Sequence, residues 1–99
     1  MTHIGCGGVQ IHRIRAKARF KRDFRKLDPP LQDLVEKKLK DLMKNPRPSG
    51  LGFEKLQGYR KPNIYTIHIT GNYKLSMEID GDLAIIRRVG NHDLIDRTP

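Results

Sequence analysis

Five side chains in the last third of the chain are of types that suit acid–base and phosphate chemistry: His68, Lys74, Arg87, Arg88 and His92. Histidine transfers protons near neutral pH because its unperturbed pKa lies there. Lysine and arginine stabilise negative charge on a phosphate. Metal-free cleavage of RNA needs a base for the 2′-hydroxyl, an acid for the leaving 5′-oxygen and cations beside the phosphorus. The set therefore predicts a phosphodiester site in which His68, Lys74, His92 and one of the two arginines, Arg87 or Arg88, are the candidate catalytic residues.

Each of these side chains also has a purely structural interpretation. A lone histidine such as His68 on a strand is more often a hydrogen-bonded or surface residue than a catalyst. A lysine such as Lys74 in a strand is usually an edge residue that prevents strands from pairing between molecules. Arg87 and Arg88 are adjacent, so one of them is expected to pair with a carboxylate such as Glu78 or Asp82. Their convergence, rather than any single residue, favours a functional site.

The hydrophobic pattern predicts the elements that must position this site. Alternating residues predict a strand at 10–16, and apolar residues at helical spacing predict a helix at 20–27 and a longer one that starts after Asp28. Asp28 is expected to cap the second helix, with Pro29 in its first turn. Three further strands are predicted at 64–69, 72–80 and 83–89, with a short tail at 94–99. The order β-α-α-β-β-β predicts an α+β fold, with a helical hairpin packed on a small antiparallel sheet.

Side-chain alternation along the last strands predicts which face of the sheet carries the chemistry. Leu75 and Met77 share one side of their strand, and this side is expected to pack on the helices. Lys74 and Ser76 lie on the other side, together with His68 of the preceding strand. We expect this second face to be open to solvent, with the cations and imidazoles exposed on it.

Composition limits the classes of protein to consider. The chain has 99 residues, which predicts a single domain at 10–99, while the Gly-rich residues 1–9 are expected to form a flexible tail. A net charge of +9 favours a nucleic acid, an anionic membrane or an acidic protein as partner. Cys6 is the only cysteine, and no segment has the length of a membrane span, so a reducing, cytoplasmic location is expected. The sequence predicts neither a metal site nor a cofactor.

The order and spacing of five short motifs resemble the toxins of the RelE/ParE superfamily, which belong to type II toxin–antitoxin systems. The motifs are FKRDFRKL at 20–27, FEKLQG at 53–58, IYTIH at 64–68, GNYKL at 71–75 and RVGNH at 88–92. The greater likeness is to the RelE and YafQ branch, whose members cut mRNA in the ribosomal A site. The resemblance therefore implies a RelE-like fold, an mRNA endonuclease activity and a cognate antitoxin that forms a hetero-oligomer with the toxin.

The resemblance also assigns roles to residues of this chain. His92 matches the histidine that acts as general acid, His68 matches a supporting histidine, and Arg88 matches a phosphate contact. Lys55 matches a lysine that contacts RNA. Lys74 replaces an arginine of many relatives and keeps its charge.

Asn72 stands where the YafQ pattern has an aspartate base, which leaves the general base open between His68 and Asp93. Side-chain chemistry and the family resemblance together predict four RNA-binding residues: Lys55, Tyr73, Arg87 and Asn72.

Two other functions remain open at this stage. ParE-like members of the superfamily inhibit DNA gyrase without cutting RNA, and they need no paired histidines. An inactive, basic RNA-binding module is the other alternative, because Asn72 and Lys74 depart from the catalytic pattern. The two histidines favour the nuclease.

Overall fold

The computed structural model describes residues 10–59 and 62–99. The tail expected at 1–9 lies outside them. Strands and helices follow one another as β1 (Arg13–Ala16), α1 (Ala18–Arg25), α2 (Pro29–Leu42), a 3-10 turn (Ser49–Leu51), β2 (Glu54–Lys55), β3 (Tyr65–His68), β4 (Tyr73–Asp80), β5 (Leu83–Asn91) and α3 (His92–Arg97). The α+β class is confirmed. Helix α3 is an addition, since residues 94–99 were predicted to form a short tail.

The two long helices form the predicted hairpin. The amide of Gln32 in α2 donates to the backbone carbonyl of Phe24 in α1 at 2.8 Å, which ties the two helices together. Asp28 occupies the N-cap position of α2, but the predicted capping bond from its side chain is absent. The reason is local. Pro30 has no N–H to offer, and the N–H of Leu31 already donates to the backbone carbonyl of Asp28 at 2.9 Å.

The sheet has the strand order β1-β5-β4-β3-β2. Strands β3 to β5 pair antiparallel as predicted, and the additional short strand β2 pairs antiparallel with β3. In contrast, β1 lies parallel to β5 at the edge of the sheet. The sheet is therefore mixed rather than purely antiparallel. Because β1 is short, β5 extends beyond it, and α1 lies against this free part of β5.

One face of the sheet packs on the helical hairpin, as the alternation predicts. Ile67, Leu75 and Met77 point from the sheet into this layer and are fully buried. Val35 and Leu42 of α2 belong to the same hydrophobic cluster and are also fully buried. The 14-residue α2 thus contributes its apolar stripe to the core.

The opposite face is covered, so the prediction that it is open to solvent was wrong. Helix α3 packs against β4 and β5, and Ile95 at its centre is fully buried. Gly90 makes this close approach possible, because a Cβ there would lie 2.7 Å from Cδ2 of Leu94. Thr66 and Ser76, polar residues of this second face, have no exposed surface. The alternation of polar residues therefore predicted correctly which residues lie on the second face, but it did not predict that this face is buried.

Candidate active site

The structure brings the two histidines of the predicted site into contact. His68 ends β3 and His92 begins α3, and the centroids of their rings are 5.2 Å apart at an interplanar angle of 67°. The backbone N–H of His92 donates to the carbonyl of Asn72 at 3.0 Å, which fixes the start of the helix beside the β3–β4 turn. Nε2 of His92 is buried and has no hydrogen-bond partner in the described part of the chain. Within the described residues, Nε2 of His92 is thus not engaged in a hydrogen bond that supports the fold.

Gly52 determines where the His68 ring can lie. This residue follows the 3-10 turn and has a φ of +62°, the left-handed conformation that glycine adopts without penalty. A Cβ on Gly52 would lie 2.3 Å from Cδ2 of His68, closer than any side chain permits. The loop backbone therefore forms one wall of the histidine site.

Lys74 lies next to this pair but is not free. It is the cross-strand partner of His68, and its side chain is only 10% exposed. Its ammonium lies 3.0 Å from a carboxylate oxygen of Asp96 in α3, which is 49% exposed. A buried ammonium without a partner would be costly, so Asp96 accounts for the position of Lys74.

Sequence reasoning missed Asp96 because α3 was not predicted. A signal for this helix exists. Asn91 is an N-cap whose side chain accepts a hydrogen bond from the N–H of Leu94 at 2.8 Å. Asp96 is also four residues after His92, so both lie on one side of the helix. His68, His92, Lys74 and Asp96 consequently form one contiguous cluster.

Arg88 is held away from this cluster by α1. Its guanidinium donates from two nitrogens to the two carboxylate oxygens of Asp23, at 3.1 and 3.3 Å. Both side chains are nearly buried, at 14% and 13% exposed. Asp23 also accepts from the backbone N–H of Val89 at 3.3 Å, an amide of β5 beyond the end of β1. Arg88 in this state serves an internal ion pair that the sequence did not reveal.

Arg87 pairs with Glu78, as expected for one of the two adjacent arginines. Its Nη1 contacts the Glu78 carboxylate, and its Nε donates to the backbone oxygen of Pro99 at 3.2 Å. Lys17 reaches the same carboxylate at 3.2 Å. Burial alone would raise the pKa of Glu78, but the hydrogen bonds from Lys17 and Arg87 outweigh it and lower that pKa.

The remaining predicted RNA-binding residues lie in different surroundings. Tyr73 packs against the hydrophobic core on the helical side, so it is not on the face of the histidines. Asn72 is exposed at the turn, and Lys55 is exposed in β2. A cavity of about 390 Å³ is lined by Gly71, Asn72, Asn91, His92 and Asp93. Of the two histidines, only His92 is among its lining residues.

The cluster combines two imidazoles, an ammonium and a carboxylate next to an open cavity. This set can accept one proton, donate another and place a cation beside an anion, which is the requirement for phosphodiester cleavage. Among residues 10–59 and 62–99, no group of three or more His, Cys, Asp or Glu side chains is arranged to hold a metal. In the same residues, no helix combines the length and apolar character that crossing a membrane requires.

Comparison with known proteins gives structural neighbours but no match by sequence, since neither a family model nor a curated protein matches the chain. One neighbour is the RelB–RelE antitoxin–toxin complex from Methanococcus jannaschii, with 26% identity and a TM-score of 0.67 over 86% of this chain and 99% of the other. The DinJ–YafQ toxin–antitoxin complex from E. coli has 20% identity and a TM-score of 0.67, over 88% and 98%.

The RelE–RelB complex from Pyrococcus horikoshii OT3 has 14% identity and a TM-score of 0.66, over 83% and 96%. In each of the three comparisons, the matched region covers nearly the whole length of the neighbouring toxin chain. The resemblance to RelE and YafQ toxins predicted from the sequence is confirmed, and the chain has their fold.

Proposed function

We propose that this chain is the toxin of a type II toxin–antitoxin pair and that it cuts messenger RNA at the ribosome, in the cytoplasm, without a metal. The observation that carries the proposal is the contact between His68 and His92, 5.2 Å between ring centroids, beside an open cavity. The RelE and YafQ fold supports it, and so does the net charge of +9, which favours RNA. Residues 10–99 are proposed to act as one domain.

The two imidazoles divide the proton transfers of the reaction. His68 accepts the proton of the 2′-hydroxyl, whose oxygen then attacks the adjacent phosphorus. The bond from phosphorus to the 5′-oxygen breaks, and His92, which lines the cavity, donates a proton to that leaving oxygen. The products are a 2′,3′-cyclic phosphate and a free 5′-hydroxyl. Asn72 supplies no base, so the histidine pair replaces the aspartate of the YafQ pattern.

Lys74 is the cation nearest to the histidines and stabilises the charge that builds on the phosphate. In the free protein Asp96 neutralises it at 3.0 Å, and Asp96 is half exposed. An incoming phosphate therefore competes with the carboxylate for the same ammonium. Arg88 contributes through its ion pair with Asp23, which fixes the end of β5 that leads to His92.

The antitoxin is proposed to bind the cationic surface of α1. Two of the three neighbouring structures named above are toxin complexes with RelB, and the third is a complex with DinJ. In this chain, five exposed cations of the region have no ion-pair partner among the described residues: Arg19, Lys21, Arg22, Arg25 and Lys26. An acidic, amphipathic segment complements such a surface.

The decisive experiment is primer extension on mRNA after induction of the wild type, of His92→Gln and of His68→Gln. We expect cuts in the wild type that disappear in both variants, because glutamine is similar in size to histidine but cannot transfer a proton. His12→Gln is the matched control, since His12 is exposed and lies outside the cluster. Undiminished cutting by both site variants would refute the assignment, and intact mRNA with DNA-damage signalling would favour the gyrase inhibitor instead.

A further inference from the structure

A second concave region lies on the same face of the sheet as the histidines. It is a groove of about 410 Å³, and its lining includes Arg19, Arg87 and Arg97 together with Tyr59, Ile64 and Pro99. No carboxylate side chain is among its lining residues. We call it the arginine groove.

The arginine groove has hydrogen-bond donors to offer to a ligand. The side chain of Arg19 makes no hydrogen bond or ion pair with any described residue and is exposed. Arg97 uses only Nε, which donates to the carbonyl of Asp93 at 3.3 Å, so both of its terminal nitrogens are free within the described chain. Arg87 is fixed by Glu78 and Pro99, which leaves its Nη2 available. A planar guanidinium fork matches the oxygens of a phosphate.

The other walls of the groove are apolar and include one aromatic ring. Ile64 is 2% exposed and Pro99 is buried, while Tyr59 is half-buried. Tyr59 also lines a neighbouring cavity of about 260 Å³ that contains Lys55. A ring beside cations is the usual arrangement for a base that stacks while its phosphate is neutralised.

The distance from the histidines suits a continuous strand of RNA. Ile64, Thr66 and His68 point to the same face along the chain leading into β3, so the groove lies roughly 13 Å from His68 at about 3.3 Å per residue. Helix α3 gives a second link, since it begins at His92 in the active site and ends at Arg97 in the groove. A ligand a few nucleotides long reaches both.

We propose that the arginine groove binds one nucleotide of the RNA substrate, with its phosphate on the arginines and its base against Tyr59. This inference rests on the proposal that RNA is the substrate, and it adds a binding subsite separate from the cleavage residues. An acidic peptide would also satisfy arginines. The compact shape of the groove and its aromatic wall favour a nucleotide over an extended peptide.

The test measures binding to a strand that cannot be cut. A fluorescent 2′-O-methyl RNA of about eight nucleotides, a length within the range that single-stranded sites cover, is titrated with the full chain while anisotropy is recorded. We expect Arg19→Gln and Tyr59→Leu each to weaken binding about fivefold or more, through loss of a phosphate contact and of stacking. Arg19→Gln should also lower the slope of log affinity against log salt by about 0.7.

Arg15→Gln is the matched control, because Arg15 is an exposed arginine of β1 that does not line the groove. Equal affinities for Arg19→Gln, Tyr59→Leu and the wild type would overturn the inference, as would an equal loss in Arg15→Gln. Loss of binding to a glutamate-rich peptide alone would also overturn it, in favour of a protein ligand. Since the strand is uncleavable, these results are independent of whether His92 is needed for cutting.

Discussion

Substituting alanine for Gly52 separates the position of the His68 ring from the stability of the fold. Gly52 and Gly81 have the same φ of +62°, but only Gly52 is close to another side chain. A Cβ at Gly52 would lie 2.3 Å from Cδ2 of His68, whereas a Cβ at Gly81 would have no heavy atom within 4 Å. Gly81→Ala is therefore a control with the same backbone cost and no clash.

The expected magnitudes follow from this difference. A left-handed alanine costs about 1–2 kcal/mol, so both variants should lower the melting temperature by about 4–16 °C at the 4–8 °C per kcal/mol of a domain this size. Gly52→Ala must in addition displace the imidazole by more than 1 Å to reach ordinary contact. If His68 transfers a proton, cleavage should fall by about 10²–10⁴-fold in Gly52→Ala alone.

Thermal unfolding by circular dichroism gives the stability of the two variants, and cleavage of a ribosome-bound mRNA gives the activity. The ring position is read from the imidazole resonances of His68 in nuclear magnetic resonance spectra. Gly81→Ala should cut at the wild-type rate once folded. Wild-type cutting by Gly52→Ala, with unshifted His68 resonances, would refute the argument that the loop holds the catalytic ring.

Three further predictions concern charged groups. Asp23→Asn leaves a nearly buried guanidinium unpaired and should cost about 3 kcal/mol in urea unfolding, whereas Asp33→Asn, at an exposed site, should cost little; equal losses would contradict the buried-pair argument. The pKa of Glu78 is lowered in the folded state, so its stabilisation is complete above the ordinary value of 4.5 and is lost as the pH falls through the lower folded value. Unfolding free energies at pH 7 and pH 3 should therefore differ less in Glu78→Gln than in the wild type, and a steeper dependence would reverse the assigned sign. Asp96→Asn should destabilise the fold more than Lys74→Met. Asp96→Asn leaves the buried ammonium of Lys74 unpaired, whereas Lys74→Met leaves only the half-exposed carboxylate of Asp96 unpaired. The opposite order of melting temperatures would contradict this prediction.

Local patterns were sufficient to predict most of the secondary structure. The alternation at 72–80 predicts β4 to within one residue, and the apolar stripe after Asp28 predicts α2. The likeness of the five motifs to RelE and YafQ toxins predicted the fold that the structural neighbours share. The alternation also placed His68 and Lys74 on the same side of the sheet, where the structure has them paired across strands.

Burial of the second face could not be read from the same alternation. Thr66 and Ser76 are polar residues at alternating positions, and that pattern normally indicates a solvated face. It does not reveal that six residues after β5 fold back over the sheet. Helix α3 is too short to show a helical period, so only its Asn91 cap could have indicated it.

Ion pairs between residues far apart in the sequence also could not be predicted. Asp23 and Arg88 are 65 residues apart in sequence, and neither has a local feature that indicates the other. Lys74 was predicted to be free because its partner lies in the unpredicted helix. The sequence thus identified residues with suitable chemistry, while the structure determined which of them are occupied by internal ion pairs.

The parallel pairing of β1 with β5 has a consequence for how the chain folds. Strands β3, β4 and β5 are joined by tight connections, so they can assemble early, whereas Arg13 must find a partner 69 residues away, as in its bond to Asp82. The β1–α1 segment is therefore expected to dock last and to detach first, with faster amide hydrogen exchange in β1 than in β4. Detachment exposes the edge of β5, including the N–H of Val89 that Asp23 otherwise occupies. An unpaired strand edge is a template for pairing with a second chain. By accepting the hydrogen bond of Val89, Asp23 is therefore expected to reduce aggregation through the edge of β5.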